Sequence, residues 1–494
     1  MRQQVCKNKS WKKRVAAAGM AICMACTMPF SVQAENVTEE YNVQENYSAE
    51  SAAENVSEEK SEVQSYDIET AKTVNQEDSA AQEPSKEEVQ LSLQLVAVEE
   101  TDTTTPTLRL DAAGELSDKI NVKGNKIEVT DGEGLILLSN VKPKYYVDYE
   151  IELITTTGWD LTQPVALNGT SYKFLGLGDE TNPYEGVFGL DQGTAATQYS
   201  IATSRSLFNA LSTKAKLGTI PFCISESTPS MQEPLLAGKL KQGEANKCLT
   251  GEIVLRDLNA DKVSNAVIGS LIGTMEEGTS AALTFENQFT KELTIRTSSH
   301  TGLFCNTMDK NTSLTAELKK ASGAGSIKVE ATEAGMDAGG FVGHMEPGAG
   351  LIIAGSSVDQ VTSDSGNAGG LVGSATDGSI QRKEQTTAFS FADTLTVKAG
   401  STSAAGGLIG SWLVTKENAV SCDLSNYQFK KLVISGGQDV GGLVGVLKNI
   451  STEKTAISIS ANTATTVTSE VSGAVTNFGG IIGTYQSEQM NNTL

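Results

Sequence analysis

One five-residue phrase recurs along the second half of the chain. It reads Gly339-Gly340-Phe341-Val342-Gly343, Gly369-Gly370-Leu371-Val372-Gly373 and Gly406-Gly407-Leu408-Ile409-Gly410. It returns as Gly441-Gly442-Leu443-Val444-Gly445 and Gly479-Gly480-Ile481-Ile482-Gly483. The leading glycines are 30, 37, 35 and 38 residues apart, and 47 Gly among 494 residues would not write five such copies by chance. A period in this range marks an array of stacked supersecondary units. Two large apolar residues held between glycines are too few for a helix and fit a very short inward-packed strand. The flanking glycines permit corners with positive φ or close approach of a neighbouring backbone. Flexible Gly-rich linkers would not need an apolar pair at a fixed place.

Each phrase follows an alternating run, as in Leu293-Thr294-Ile295, Ile327-Lys328-Val329, Leu395-Thr396-Val397, Leu432-Val433-Ile434 and Ile457-Ser458-Ile459. A third apolar run often comes after it, such as Ala282-Leu283-Thr284-Phe285 or Leu351-Ile352-Ile353. Three short strands per turn predict an all-β, right-handed parallel β-helix. Weaker relatives extend the series upstream. Gly269-Ser270-Leu271-Ile272-Gly273 keeps the frame, and Thr301-Gly302-Leu303-Phe304-Cys305 places Cys305 at the last glycine. Fainter echoes put markers at Leu235, Leu207 and Val187. Residues 107–190 read as a β-rich opening part and 191–494 as the repeat solenoid. The one amphipathic helix expected is Ser206 to Lys216. Asp131-Gly132-Glu133-Gly134 reads as a turn before the apolar run Leu135 to Leu138.

The amino-terminal fifth differs in kind. Arg2, Lys7, Lys9, Lys12, Lys13 and Arg14 precede an apolar run from Val15 to Phe30 and then Val32-Gln33-Ala34. That pattern is a secretory signal peptide, 1–34, cut after Ala34. As a membrane anchor the run is short and is broken by Thr27 and Pro29. Cys23 and Cys26 lack a lipoprotein context. Residues 35–106 contain 19 acidic and three basic residues and no Gly, Phe, Trp, Met or Cys. Such a segment cannot bury enough apolar surface to offset ordering, so it reads as a disordered acidic spacer. Within it, Leu91 to Val98 alternates and has the look of a lone strand. The net charge is −22, and removing the six leader cations from 38 basic residues leaves 32 against 60 acidic ones, a charge of −28. This balance disfavours nucleic acid and anionic membranes as partners. It suits an extracellular protein that must stay soluble, and charge names no partner; an extracellular protein or glycan is the ligand expected of a secreted or cell-surface protein.

Gly369-Gly370-Leu371-Val372-Gly373-Ser374 and its sisters resemble the GLUG-motif repeats of large bacterial, Gram-positive-type surface proteins, including those of immunoglobulin-A-protease type. The stretch from Gly132 through Trp159 to Phe188 also resembles the opening turn of such β-helices. The resemblance spans Lys119 to the end and implies fold and location. No matched motif position is catalytic in that family, so the repeat glycines are structural positions and no active site carries over.

The residues themselves offer little catalytic chemistry. His300 and His344 are the only histidines, and neither lies in His-Glu-x-x-His. His344 directly follows a phrase and is expected on a corner. Two isolated imidazoles argue against a Ser-His-Asp triad. Paired carboxylates such as Glu276 with Glu277, or Asp359 with Asp364, are what a sugar-active β-helix would use, but solvated acids look the same in sequence. Acidic turns such as Asp131-Gly132-Glu133 offer at most weak calcium ligands at no established loop spacing; no cofactor is expected otherwise. Four cysteines follow the leader. Cys223 and Cys248 form the plausible disulfide, and packing as small hydrophobes explains Cys223, Cys248, Cys305 and Cys422 equally well. The reading is therefore a non-enzymatic, adhesin-like surface solenoid. Its alternatives are a carbohydrate-active β-helix enzyme and the repeat region of a longer surface protease.

Overall fold

The computed structural model describes residues 94–98, 107–111, 118–154, 158–189, 200–226, 230–258, 262–383, 389–415, 420–424, 429–451, 457–461 and 475–487. The leader and the acidic segment up to residue 93 lie outside these. Gln94–Val98 is not a lone strand: it pairs antiparallel with Thr107–Asp111.

From Lys126 onward the chain winds into a parallel β-solenoid. One turn shows the scheme. Ile327–Ala331 is a leading strand, Ala338–Gly339 a two-residue link, Val342–Met345 an elbow strand and Gly350–Gly355 a long-sheet strand. Each pairs in parallel with its counterpart one turn away, giving stacked sheets of six, six, nine and twelve strands. The three expected strands per turn are thus joined by a fourth, the link. The twelve-stranded sheet runs unbroken from Ile120–Lys123 to Ile457–Ala461, across residue 190. Parallel pairing of successive turns satisfies backbone N–H and C=O groups between turns rather than within them.

Alternation aims one side chain in two at the interior, and register stacks them into columns. Ile268, Ile295, Val329, Val361, Val397 and Ile434 form one buried column on the leading sheet. Ala237, Ile272, Cys305, Val342, Val372, Ile409 and Val444 form another on the elbow sheet. At ~25 cal/mol per Å² of apolar surface removed from water, stability accumulates turn by turn.

Several local expectations are corrected. The Gly-Gly-apolar-apolar-Gly phrase is not one short strand. It begins in the link, turns through its centre and ends in the elbow strand. None of its glycines has positive φ; their role is close approach. A Cβ on Gly370 would lie 2.1 Å from the carbonyl oxygen of Gly407 in the next turn, and one on Gly369 would lie 1.9 Å from that of Val372. A Cβ on Gly373 would press on the backbone of Ala338 in the preceding turn, at 2.9 Å. The bend folds backbone against backbone with no room for a side chain.

The upstream frame shifts accordingly. Cys305 registers with Val342, so Asn306 rather than Cys305 takes the last-glycine place. Leu236, not Leu235, is the turn's marker, since Ala237 registers with Ile272. Val187–Phe188 belongs to the twelve-stranded sheet, and the elbow position of that turn is Leu177, bridged to Phe208. Ile457–Ala461 also lies in the twelve-stranded sheet rather than leading into the last phrase.

Ser206 to Lys216 is not helical: it contains the strand Phe208–Ser212 and the start of Lys216–Cys223, whose apolar residues alternate into the core. Among the described residues the α-helix is Gly132–Ser139, where a turn and an apolar run were expected. Asp131 caps it by accepting from the Gly134 N–H at 3.1 Å. Almost every residue of it is buried, so it shows no amphipathic stripe.

Candidate functional site

The elbow makes a concave angle between link and elbow strand, and outward side chains from both walls meet across it. On the link wall the residue two before each phrase is His300, Asp337, Asn367, Ala404, Asp439 and Asn477 in successive turns. On the elbow wall the matching column is Thr307, His344, Ser374, Ser411, Val446 and Thr484. Each acid on the first wall is held by the next turn. Asp337 Oδ1 accepts from the Asn367 backbone N–H at 2.7 Å and from its Nδ2 at 2.9 Å, while Ser374 Oγ donates to Asp337 Oδ2. Asp439 repeats the arrangement with Asn477 and Thr484. The ladder closes the angle with charge-assisted hydrogen bonds where the glycines have brought two backbones together.

The two histidines are not isolated. They come from adjacent turns and stack, with ring centroids 5.0 Å apart and planes at 25°. His344 sits within the strand Val342–Met345, not on a corner. Its Nδ1 is 2.7 Å from Ser374 Oγ and its Nε2 is 3.3 Å from Glu346 Oε1. His300 Nδ1 accepts from the Asp337 backbone N–H at 3.0 Å. Burial lowers the His300 pKa, the neighbouring Asp337 charge opposes that, and His344 reinforces it. His300, Asp337 and His344 each bring a ligand atom within 4.8 Å of the other two. Sequence reasoning missed this cluster because the residues are 37 and seven apart. The available signal was positional: His, Asp or Asn two residues before a phrase, and His, Ser or Thr just after one.

Glu346, His344 and Ser374 have the connectivity of an acid–base–nucleophile set. The hydroxyl proton of Ser374, however, is committed to Asp337. Ser374 also lies inside a strand paired on both sides, where an oxyanion would have to compete with the ladder for backbone N–H groups.

One member of each expected carboxylate pair is held in a structural contact. Asp359 binds Lys320 Nζ and the Ile327 N–H, both at 2.7 Å, tying three strands together. Glu276 pairs with Lys241 at 3.4 Å. Asp131 is spent on its helix cap and on Lys119 at 2.7 Å. Asp309 stands one turn from both Glu276 and Glu346, and burial, then Glu346, Glu276 and Glu277, push its carboxyl pKa up. Cys223, Cys248, Cys305 and Cys422 are thiols rather than halves of a disulfide. The expected Cys223–Cys248 bridge fails on register: Cys223 lies opposite Arg256 at the far end of the neighbouring strand from Cys248. Eight residues of strand put them roughly 25 Å apart, far beyond disulfide reach.

Towards the amino-terminal turns the elbow angle opens into a groove of about 520 Å³. Ser230, Glu233, Gly273, Thr297, Ser299 and Asn306 are among its walls. A second hollow of about 410 Å³, with Thr162, Gln163, Lys173 and Arg205, shares Ser204 and Glu233 with it. Both linings are dominated by hydroxyls, amides and a few charges. No family model, curated protein or solved structure matches this chain.

Proposed function

We propose that the chain is an exported, non-enzymatic cell-surface solenoid that binds an extracellular protein or glycan in an adhesin-like way. The observation that carries this reading is the pair of polar hollows at the amino-terminal turns, which share Ser204 and Glu233 and are rich in hydroxyl and amide groups. Such a lining suits a ligand rich in hydroxyls or amides, recognised through many modest hydrogen bonds. Three further supports come from the sequence: the leader pattern at residues 1–34, the acidic excess and the resemblance of the repeated phrase to GLUG-motif surface proteins. The commitment of Ser374 to Asp337, and of the acids to cations or caps, supports a scaffold rather than a catalyst. The alternative of a sugar-active enzyme needs two carboxyl groups facing one open cleft with room for a glycosidic bond. Among the described residues, the Glu276–Asp309–Glu346 column is the acidic cluster that favours it.

A glycan array together with a polysaccharide-degradation screen on the full chain tests the assignment. Saturable binding that is weakened by Glu233→Gln or Asn306→Ala, with no release of sugar, is the expected result. Turnover of any polysaccharide overturns the non-enzymatic assignment. Export is tested separately by asking whether protease added to intact cells digests the protein; a fully protected intracellular pool overturns it.

A further inference from the structure

The fold takes the only two histidines of a 494-residue chain and stacks them over one carboxylate. We propose that His300, Asp337 and His344 form a binding site for one divalent transition-metal ion of the zinc class, entered from the elbow. His300 Nδ1 and Asp337 Oδ2 stand 3.5 Å apart. Two ligands bound to one tetrahedral zinc at ~2.0–2.1 Å are separated by roughly 3.3 Å, so this pair is already spaced as co-ligands. All three ligand atoms lie within 4.8 Å of one another, and a modest inward swing of a half-buried ring completes the set. Two imidazoles and one carboxylate form a borderline donor set. It selects zinc, copper or nickel over calcium and magnesium, which prefer all-oxygen cages.

The surroundings match what such a ligand set requires. Asp337 is oriented by the paired N–H groups of Asn367 on Oδ1, and its Oδ2, which accepts from Ser374 Oγ, faces His300. Ser374 Oγ, 2.7 Å from His344 Nδ1, fixes that ring in place, while its Nε2 faces Glu346 Oε1 at 3.3 Å. Glu346 supplies negative charge there that a cation would neutralise. Ligation by His300 Nδ1 exchanges the hydrogen bond from the Asp337 N–H for the metal bond. Both imidazoles remain partly exposed, which admits the ion and leaves room for water in a fourth position. The ion would clamp two adjacent turns of the solenoid.

The test uses the full chain, stripped with a chelator and titrated with Zn²⁺ against a chromophoric competitor, and separately with Co²⁺. One ion per chain is expected, with a visible Co²⁺ band of the intensity that four-coordinate nitrogen and oxygen sites give. His300→Gln, His344→Gln and Asp337→Asn should each weaken binding at least about tenfold, and Asn367→Ala about tenfold through loss of orientation. Glu277→Gln should change nothing, and excess Ca²⁺ should not displace the ion. Substoichiometric binding, a Co²⁺ spectrum identical to that of the free ion, or affinity unchanged in the His300→Gln/His344→Gln double variant overturns the proposal. The Co²⁺ band of the unaltered protein decides the question even if a variant fails to fold.

Discussion

The two ends of the described solenoid treat the same inward positions in opposite ways. At the amino-terminal end the apolar columns run into a lid. The helix Gly132–Ser139 buries Leu135, Ile136, Leu137 and Leu138, and Tyr146, Trp159, Tyr172, Tyr184, Phe188 and Phe208 fill the space behind it. Tyr184 stacks on Phe208 at 5.3 Å and its hydroxyl donates to the Tyr149 and Val187 carbonyls. In the last described turn, Phe478 is 54% and Ile481 60% exposed, whereas Val440 and Leu443, one turn earlier, are 0% and 9% exposed. The residue types match; the environment does not. An inward position in a solenoid owes much of its burial to the neighbouring turns, so sequence pattern alone overstates burial in the last described turn.

The sharpest way to break this comparison is to place one charge at both positions. Leu371→Asp buries an unpaired carboxylate in a fully buried column and should cost about 4 kcal/mol or more, enough to disrupt the central turns. Ile481→Asp should cost less than about 1 kcal/mol, because that side chain is largely in water. Urea denaturation of the two variants measures both, and equal losses would refute the layered account of burial.

The glycines give the same contrast with a smaller perturbation. A Cβ on Gly370 meets the Gly407 carbonyl oxygen at 2.1 Å, while one on Gly480 meets nothing within 4 Å. Gly370→Ala should therefore cost about 2–3 kcal/mol by forcing adjacent turns apart, and Gly480→Ala should be neutral within about 0.5 kcal/mol. Both positions carry the same motif glycine, so thermal melts of the pair separate the motif from its surroundings. A Gly370→Ala protein as stable as wild type would rule out backbone contact as the reason for the repeat.

The cysteines sample both regions kinetically. Burial pushes the Cys305 thiol up to about 12 and the Cys223 thiol up to about 11. Cys248 is exposed. A maleimide should label Cys248 first and Cys305 only on unfolding, since the thiolate is the reactive form and the buried thiol is both protonated and shielded. Mass spectrometry of the native protein should find free thiols at both Cys223 and Cys248; a bridge between them would contradict the register.

The smallest expected effect is on the outer face of the leading sheet, where Glu330 joins Arg296 of the preceding turn and Lys328. Burial raises the Glu330 pKa, but the hydrogen bonds and charges of Lys328 and Arg296 outweigh it and hold the carboxyl below 4.5. A carboxyl with a depressed folded pKa stabilises above its unfolded value and loses that contribution as pH falls through the folded one. Glu330→Gln should thus cost no more than about 1 kcal/mol at pH 7, and the difference from wild type should vanish below the folded pKa. A gap that widens on acidification would reverse the assigned sign.

Much of the architecture was legible before any coordinates. The spacing of the phrase determined a solenoid, because only stacked units can bury a two-residue apolar core repeated every 30 to 38 residues. The alternation of Ile327-Lys328-Val329 and its sisters determined which face of the leading strands looks inward. Where glycine was lost, the frame became illegible: Cys305 looked like the last residue of a phrase because its neighbours were apolar, and only inter-turn register moved it to the Val342 column. Gly132–Ser139 escaped recognition because a helix buried on all sides has no periodic apolar stripe. The sequence by itself also could not say why the phrase glycines are there. Their φ values are ordinary; it is a carbonyl oxygen from a residue 37 positions away that excludes a side chain at Gly370. The candidate site belongs wholly to the tertiary structure. Local periodicity carries no information about which turn lies above which, and it is that stacking which sets His300 on His344 and both beside Asp337.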